Sequence, residues 1–442
     1  MGGMGGGGRN PNDPTVVSAF HHALLIDGLV VAGLLAVVFL VWRRSRTALL
    51  RRAAASGGSA QPPAGPGAER GEPAGRRLIR VGFGLLWLLD GILQGQASMP
   101  LGLIPRVVVP AGTGSPGWVH HVAGWVIPVW AAHPVTAAAS VVWIQVGIGL
   151  FLLTSGRGGW SRLAGGAGAA WGLIVWTFGE AFGSVFGPDP SWLFGAPGAA
   201  AFYVVAGALV ALPETIWSRP DPGRRLLRAA GVYLIGMAVL QAWPGRGFWP
   251  GPGATGLLSS MIENMARTPQ PAVLASMVRA FAGFDAAHGW AVNLFAVGAP
   301  GLIGAGLCSG HRRWVGAASG AALVVGLADW VLVEDLGFMG GVGTDPNSMI
   351  PLLLLIGGGY LAWTRMVATV PAPAAGPAPA LPWRRRLMAD PAYALRLSVA
   401  LAALGVILVG AAPMAVVASE AGHRSHPAAA TVTPGSYHSW SR

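Results

Sequence analysis

Apolar residues in this chain come in long unbroken runs, not in the alternation of strands or the one-sided stripes of surface helices. Runs of about 18–20 such residues match the hydrocarbon thickness of a bilayer. Continuous rather than alternating runs exclude a β-barrel. The pattern predicts ten membrane-crossing helices, at 20–42, 79–97, 134–154, 163–183, 197–215, 229–243, 289–309, 315–333, 349–366 and 395–417. The fold class expected is all-α, a polytopic membrane protein. The first run starts at His21 and its arginines follow it, in "WRRSR". That is the reverse of a secretion signal, so this helix is expected to stay as an anchor.

Two stretches break the pattern, "AAASGGSAQPPAGPGAERGEPAG" (Ala53–Gly75) and "PAPAAGPAPALP" (Pro371–Pro382). Both have the Pro/Ala/Gly composition of linkers. They divide the chain into an N-terminal segment and first anchor (1–42), a disordered cytoplasmic linker (43–78), two four-helix units (79–215 and 216–366), a second cytoplasmic linker (367–394), and a last span with an outer tail (395–442).

The two units read as copies of each other. "WTFGEAFGSVFGPDPS" (Trp176–Ser191) matches "WVLVEDLGFMGGVGTDPNS" (Trp330–Ser348), with Trp176 and Trp330 four positions before Glu180 and Glu334. His133 and His288 stand at the starts of corresponding helices, and Leu93-Gln94 matches Leu240-Gln241. Both copies start on the same side, so the repeat is expected to be parallel, about an axis along the membrane normal.

Composition adds orientation. The chain is 53% hydrophobic and 10% charged, with a net charge of +12 carried by arginine alone. On the ten-span reading, 22 arginines fall in one set of connecting segments and seven in the other. That asymmetry predicts both termini outside a bacterial plasma membrane, and it explains the basic charge through topology and lipid rather than nucleic acid. Cys308 is the only cysteine, so no intrachain disulfide forms.

Candidate chemistry rests on carboxylates inside or beside apolar runs. Asp90, in "LLWLLDGILQGQ", interrupts one, and Glu180, Asp329 and Glu334 stand in or at the ends of others. Each costs roughly 2.5–3.5 kcal/mol on insertion scales unless sheltered. One reading makes Asp90, Glu180 and Glu334 proton-handling groups, with Gln94, His133, Trp176, His288 and Asp329 as ligand contacts. The other makes the acids structural, with Asp90 bonded to neighbouring helices and the glutamates paired with arginines such as Arg106 or Arg279. In the second copy the Asp90 position carries Met237. His120, His121, His133 and His288 lack tight ligand spacing, and no metal is expected. Most of the 19 tryptophans fall near span ends, as an interfacial belt does, and no P-loop, GxGxxG, GxSxG or HExxH motif occurs. "SSMIENMARTPQPAVLASMVRAF" (Ser259–Phe281) has near-helical periodicity and is expected on the membrane surface or over the bundle.

"RVGFGLLWLLDGILQ" (Arg80–Gln94), "HPV" (His133–Val135), "WTFGEAFG" (Trp176–Gly183) and "GAPGAAAFY" (Gly195–Tyr203) resemble the DoxX/DoxD-like family of four-helix membrane proteins, here duplicated. The resemblance implies a membrane redox subunit working beside a membrane or soluble partner, with Asp90, Gln94 and Glu180 near a quinone head. The function expected is thus an accessory subunit of a quinone-linked redox or respiratory system. The alternatives are a small-solute or ion transporter built on the two repeats, and a scaffold without chemistry.

Overall fold

The computed structural model describes residues 10–55, 72–250, 256–339, 342–365 and 391–424. Residues 56–71 and 367–390 of the two expected linkers, and the tail beyond 424, lie outside these residues; at 43–55 and 74–78 the first expected linker is helix instead, as the end of α1 and the start of α2. Among the described residues every regular element is helical. The chain opens with α1 (Pro14–Ala55), followed by α2 (Ala74–Gln94) and the short helices α3 (Met99–Leu103), α4 (Val109–Ala111), α5 (Gly117–Ala123) and α6 (Val126–Ala132). It continues through α7 (Pro134–Thr154), α8 (Gly158–Ile174) and α9 (Ala199–Ala211). After the short α10 (Glu214–Trp217) come α11 (Asp221–Ala242), α12 (Leu257–Ala266), α13 (Ala272–Cys308), α14 (Arg312–Leu332), α15 (Met349–Thr364) and α16 (Pro391–Arg424).

Among the described residues six helices are long and apolar enough to cross a membrane, α1, α7, α11, α13, α14 and α16, and α2 makes a seventh if it is counted as one span with the segment that bends away from it by 98°. The remaining expected spans are shorter as helices for a physical reason. α8 gives way at Val175 to a π-helical turn (Val175–Gly179) and then a 3-10 turn (Ala181–Ser184). α9 and α15 have 13 and 16 residues, so at 1.5 Å per residue they reach only about 20 and 24 Å. Irregular segments, not further helix, lead into both.

Neighbouring helices run in opposite directions, and the two ends of the bundle differ. One end gathers Arg76, Arg80 and the starts of α2 and α11; the other gathers Glu180, Glu334 and the starts of α9 and α15. We call these the arginine end and the carboxylate end. Small residues set the closest crossings, as is usual where lipid removes the hydrophobic drive. Gly84 on α2 faces Gly149 on α7, where an added Cβ would come within 2.8 Å of the opposing carbonyl, and Gly231 on α11 faces Gly304 on α13 with 2.5 Å. Gly84 and Gly231 are separated by the same offset as Gln94 and Gln241.

The segments between helices tie the halves together. The Trp192 indole donates to the Ala296 carbonyl at 2.9 Å, and the Tyr233 hydroxyl to that of Ala196 at 2.6 Å. In return, Gln96 at the end of α2 donates to the Gly343 carbonyl at 2.9 Å. α16 packs along α7 and α1 on the outside of the first half. The amphipathic stretch 259–281 forms α12 and the first turns of α13, and α12 buries Leu258, Ile262 and Ala266 against α13.

Candidate functional site

Glu180 and Glu334 do not pair with arginines. Each caps a helix. The Glu180 carboxylate accepts from the Ala200 amide at 3.1 and 3.3 Å, and Glu334 accepts from the Ser348 and Met349 amides, both at 3.2 Å. Unpaired N–H groups and the positive end of the dipole at a helix start favour an acid there. Trp176, expected as a ligand contact, instead donates to the Pro197 carbonyl at 2.7 Å, and Trp330 likewise donates to that of Pro346 at 2.8 Å. Gly183 completes the first lock. Its φ is +58°, and an added Cβ would fall 1.8 Å from the Pro197 oxygen, so no other residue fits this turn. Gly337, at φ +73°, holds the corresponding place beside Pro346.

Inside the first half, beside this lock, lies a cavity of about 280 Å³. α2 supplies Trp87, Asp90 and Gln94, spaced to share one helical face. α7 adds Gln145, α8 Trp171, α9 Tyr203, and α16 Met414 and Ala418; the second half reaches in with Thr344 and Asp345. The other walls are aliphatic and aromatic, including Trp125, Trp130 and Phe178. Both π-helical turns of the described chain, Ile104–Val108 and Val175–Gly179, border it. Such turns recur at functional sites.

Asp90 is 3% exposed; the Tyr203 hydroxyl is within hydrogen-bonding reach of its carboxylate, but too loosely placed to give Oδ1 a close partner. Oε1 of Gln94 and Gln145, the Trp171 indole nitrogen and the Tyr203 hydroxyl likewise lack a close partner. Tyr203 sits edge-on to Phe83 and Trp87, with centroids 5.2 and 4.6 Å away. Asp90, Glu180 and Asp345 are close enough to feel one another's charge, and Tyr203 feels all three. Asp345 is partly satisfied, by the Thr344 hydroxyl at 2.7 Å and the Asn347 amide at 2.8 Å. No arginine or histidine is among the lining residues. Buried polar groups are normally bonded, so several unmatched ones around one space point to an occupant.

The matching sequence positions in the second half are occupied differently. Met237 stands where Asp90 would be and is buried. Gln241, the counterpart of Gln94, is fully buried, accepts from Ser191 Oγ at 2.7 Å and donates to Asn293 Oδ1 at 2.8 Å. Asp329 lies on α14 near Glu334, away from the cavity, with neither oxygen hydrogen-bonded. His133 meets Glu420 of α16 at 3.2 Å, while His288 marks a break in α13, with its ring 4.6 Å from that of Phe284. Of the expected site residues the cavity therefore unites Asp90, Gln94 and Glu180, and leaves out Glu334, His133, Trp176, His288 and Asp329. Gln145, Trp171 and Asp345 are lining groups that sequence reasoning did not select.

The turn after α14 carries a titrating group of its own. Burial pushes the Asp335 carboxyl up from its ordinary 3.8 to about 6, with Gln270 pulling the other way. The folded chain thus holds this proton more tightly than the unfolded chain. The group's contribution is present at low pH and is lost as pH rises from about 4 through about 6. Asp335→Asn keeps a residue type that tolerates the φ of +53° here. Thermal melts should find the variant more stable than the parent at pH 7–8, with the difference closing towards pH 4. A difference independent of pH would contradict this.

At the arginine end, Glu72 accepts from Arg76 Nη1 at 2.7 Å and from Arg80 Nε and Nη2 at 2.9 and 2.7 Å. Arg76, fully buried, also donates to the Gly156 and Val210 carbonyls at 3.0 and 2.9 Å and to Ser161 Oγ at 2.8 Å. Arg80 donates to the Leu152 and Leu153 carbonyls. These arginines satisfy the last carbonyls of α7 and α9, where a cation suits the helix dipole. No protein-family model, curated protein or solved structure matches the chain.

Proposed function

We propose that this chain is a plasma-membrane protein of ten transverse helices, two parallel four-helix units flanked by α1 and α16, which takes a small solute into the Asp90 cavity and carries it across the bilayer. The arginine end faces the cytoplasm and both termini lie outside, which the arginine asymmetry supports. The matched pairs Gly84–Gly149 and Gly231–Gly304, and the twin Trp–Glu–Pro locks, support the duplication.

The observation that carries the reading is an Asp90 oxygen without a close partner beside an apolar space, in a frame whose other copy has Met237 there. A need of the fold would recur in both copies; a solute site does not have to. Two π-helical turns border the cavity wall, as is frequent at functional sites.

The test is uptake of radiolabelled amines, amino acids and sugars into proteoliposomes, compared with protein-free vesicles. Ala418→Trp, placed on α16 outside the hydrogen-bonded networks, fills the cavity and should abolish the flux while leaving the melting temperature within a few degrees. No flux above protein-free vesicles, or flux untouched by Ala418→Trp, overturns the proposal. A second reading keeps the resemblance to DoxX-like proteins: an accessory subunit holding a quinone head in the same cavity. The aromatic, apolar walls with Asp90, Gln94 and Tyr203 grouped among them favour it. Quinone recovered in stoichiometric amount from purified protein would put this reading first.

A further inference from the structure

We propose that the solute is a small organic cation, an amine or quaternary ammonium compound. This rests on the reading that the Asp90 cavity holds a solute, and names its class. Charge is the first argument. Asp90, Glu180 and Asp345 line the space without an arginine or histidine among the lining residues. Glu180 and Asp345 are already engaged by backbone amides, so Asp90 is the acid left to meet a charge.

Hydrogen bonding is the second argument. Asp90 Oδ1, Gln94 Oε1 and Gln145 Oε1 are acceptors without close donors. An occupant that brings donors or positive charge suits them, and the unmatched Trp171 indole N–H and Tyr203 hydroxyl leave room for one acceptor, such as a hydroxyl oxygen, on the same occupant.

The walls are the third. Trp87, Trp125, Trp130, Trp171, Phe178 and Tyr203 contribute rings to one cavity of about 280 Å³. Aromatic rings attract a cation through their quadrupole, and quaternary ammonium recognition uses such cages. The same walls argue against a bare metal ion. Apolar surface cannot replace a tightly held hydration shell. Among the described residues no group of three or more His, Cys, Asp or Glu side chains is placed to hold a metal. A weakly hydrated ammonium with carbon around it loses less on entering.

Protein in lipid nanodiscs is titrated with choline, tetramethylammonium and 3,3-dimethylbutan-1-ol, the uncharged isostere of choline, by calorimetry. Choline is expected to bind at least about tenfold more tightly than the isostere, a difference of about 1.4 kcal/mol. In Asp90→Asn the two should bind within about twofold of each other, and a melting temperature within a few degrees of the parent's reports that the variant is folded. Equal binding of choline and isostere by the parent protein overturns the cation assignment and leaves the solute cavity standing. Binding of neither cation overturns it as well, and the uptake panel then decides separately whether another solute uses the cavity. If Asp90→Asn does not fold, the parent's preference between choline and the isostere still decides.

Discussion

Asp90→Asn is expected to slow solute uptake by about 10–100-fold without lowering the yield or melting temperature of the folded protein. The substitution keeps the shape of the side chain and removes its charge. A hydrogen bond to a charged partner contributes about 1.5–3 kcal/mol, which spans that range of affinity. Stability should move the other way. A carboxylate at membrane depth costs roughly 2.5–3.5 kcal/mol, and a neutral amide costs less. Initial uptake rates in proteoliposomes, read beside thermal unfolding, separate the effects. Unchanged flux would take the carboxylate out of the mechanism. A loss of folding alone, with normal flux per folded molecule, would make Asp90 structural.

Asp90 was legible in the sequence because an acid inside an apolar run is costly wherever it sits, and its cost does not depend on knowing the fold. The Met237 at the position aligned with it by sequence was legible as well. The glutamates were only half legible. Their shared spacing from Trp176 and Trp330 marked them as a pair, but the amides they cap lie 20 residues on for Glu180 and 14 and 15 for Glu334. Nothing local says that the chain returns there, so an arginine partner looked as good as a helix start. Gln145 and Trp171 carry no signal in sequence at all. A glutamine in an apolar helix and a tryptophan near its end are ordinary, and they become lining groups only because α2, α7, α8, α9 and α16 leave a space together. Asp345 was visible as a landmark of the repeat, while its place in the other half's cavity depends on how the halves interlock. The end of α8 was misread because hydrophobicity continues through the π and 3-10 turns that end its regular helix.

Glu72→Ala is expected to destabilise the protein by about 3–5 kcal/mol, the cost of removing one partner from a buried ion pair. The sequence places Glu72 in a linker, where a glutamate would be solvated and replaceable. The structure draws it in instead: its side chain is 8% exposed and bridges Arg76 and Arg80, themselves 0% and 7% exposed. Without it, two guanidiniums one helical turn apart remain buried with like charge and only Glu214, near Arg76, as a weaker counter-charge. Their bonds to the carbonyls of Gly156, Val210, Leu152 and Leu153 hold the ends of α7 and α9 to α2, so the loss spreads to three helices. Glu72→Gln should cost less, because the amide oxygen still accepts one of the three hydrogen bonds. The double variant Glu72→Ala with Arg80→Leu should recover part of the loss by removing one uncompensated cation, giving a coupling energy of about 1–3 kcal/mol in a double-mutant cycle. Unfolding by SDS titration in mixed micelles measures all three. A Glu72→Ala variant within about 0.5 kcal/mol of the parent, as a surface site would give, would return Glu72 to the linker and leave the two arginines to be neutralised by lipid phosphate.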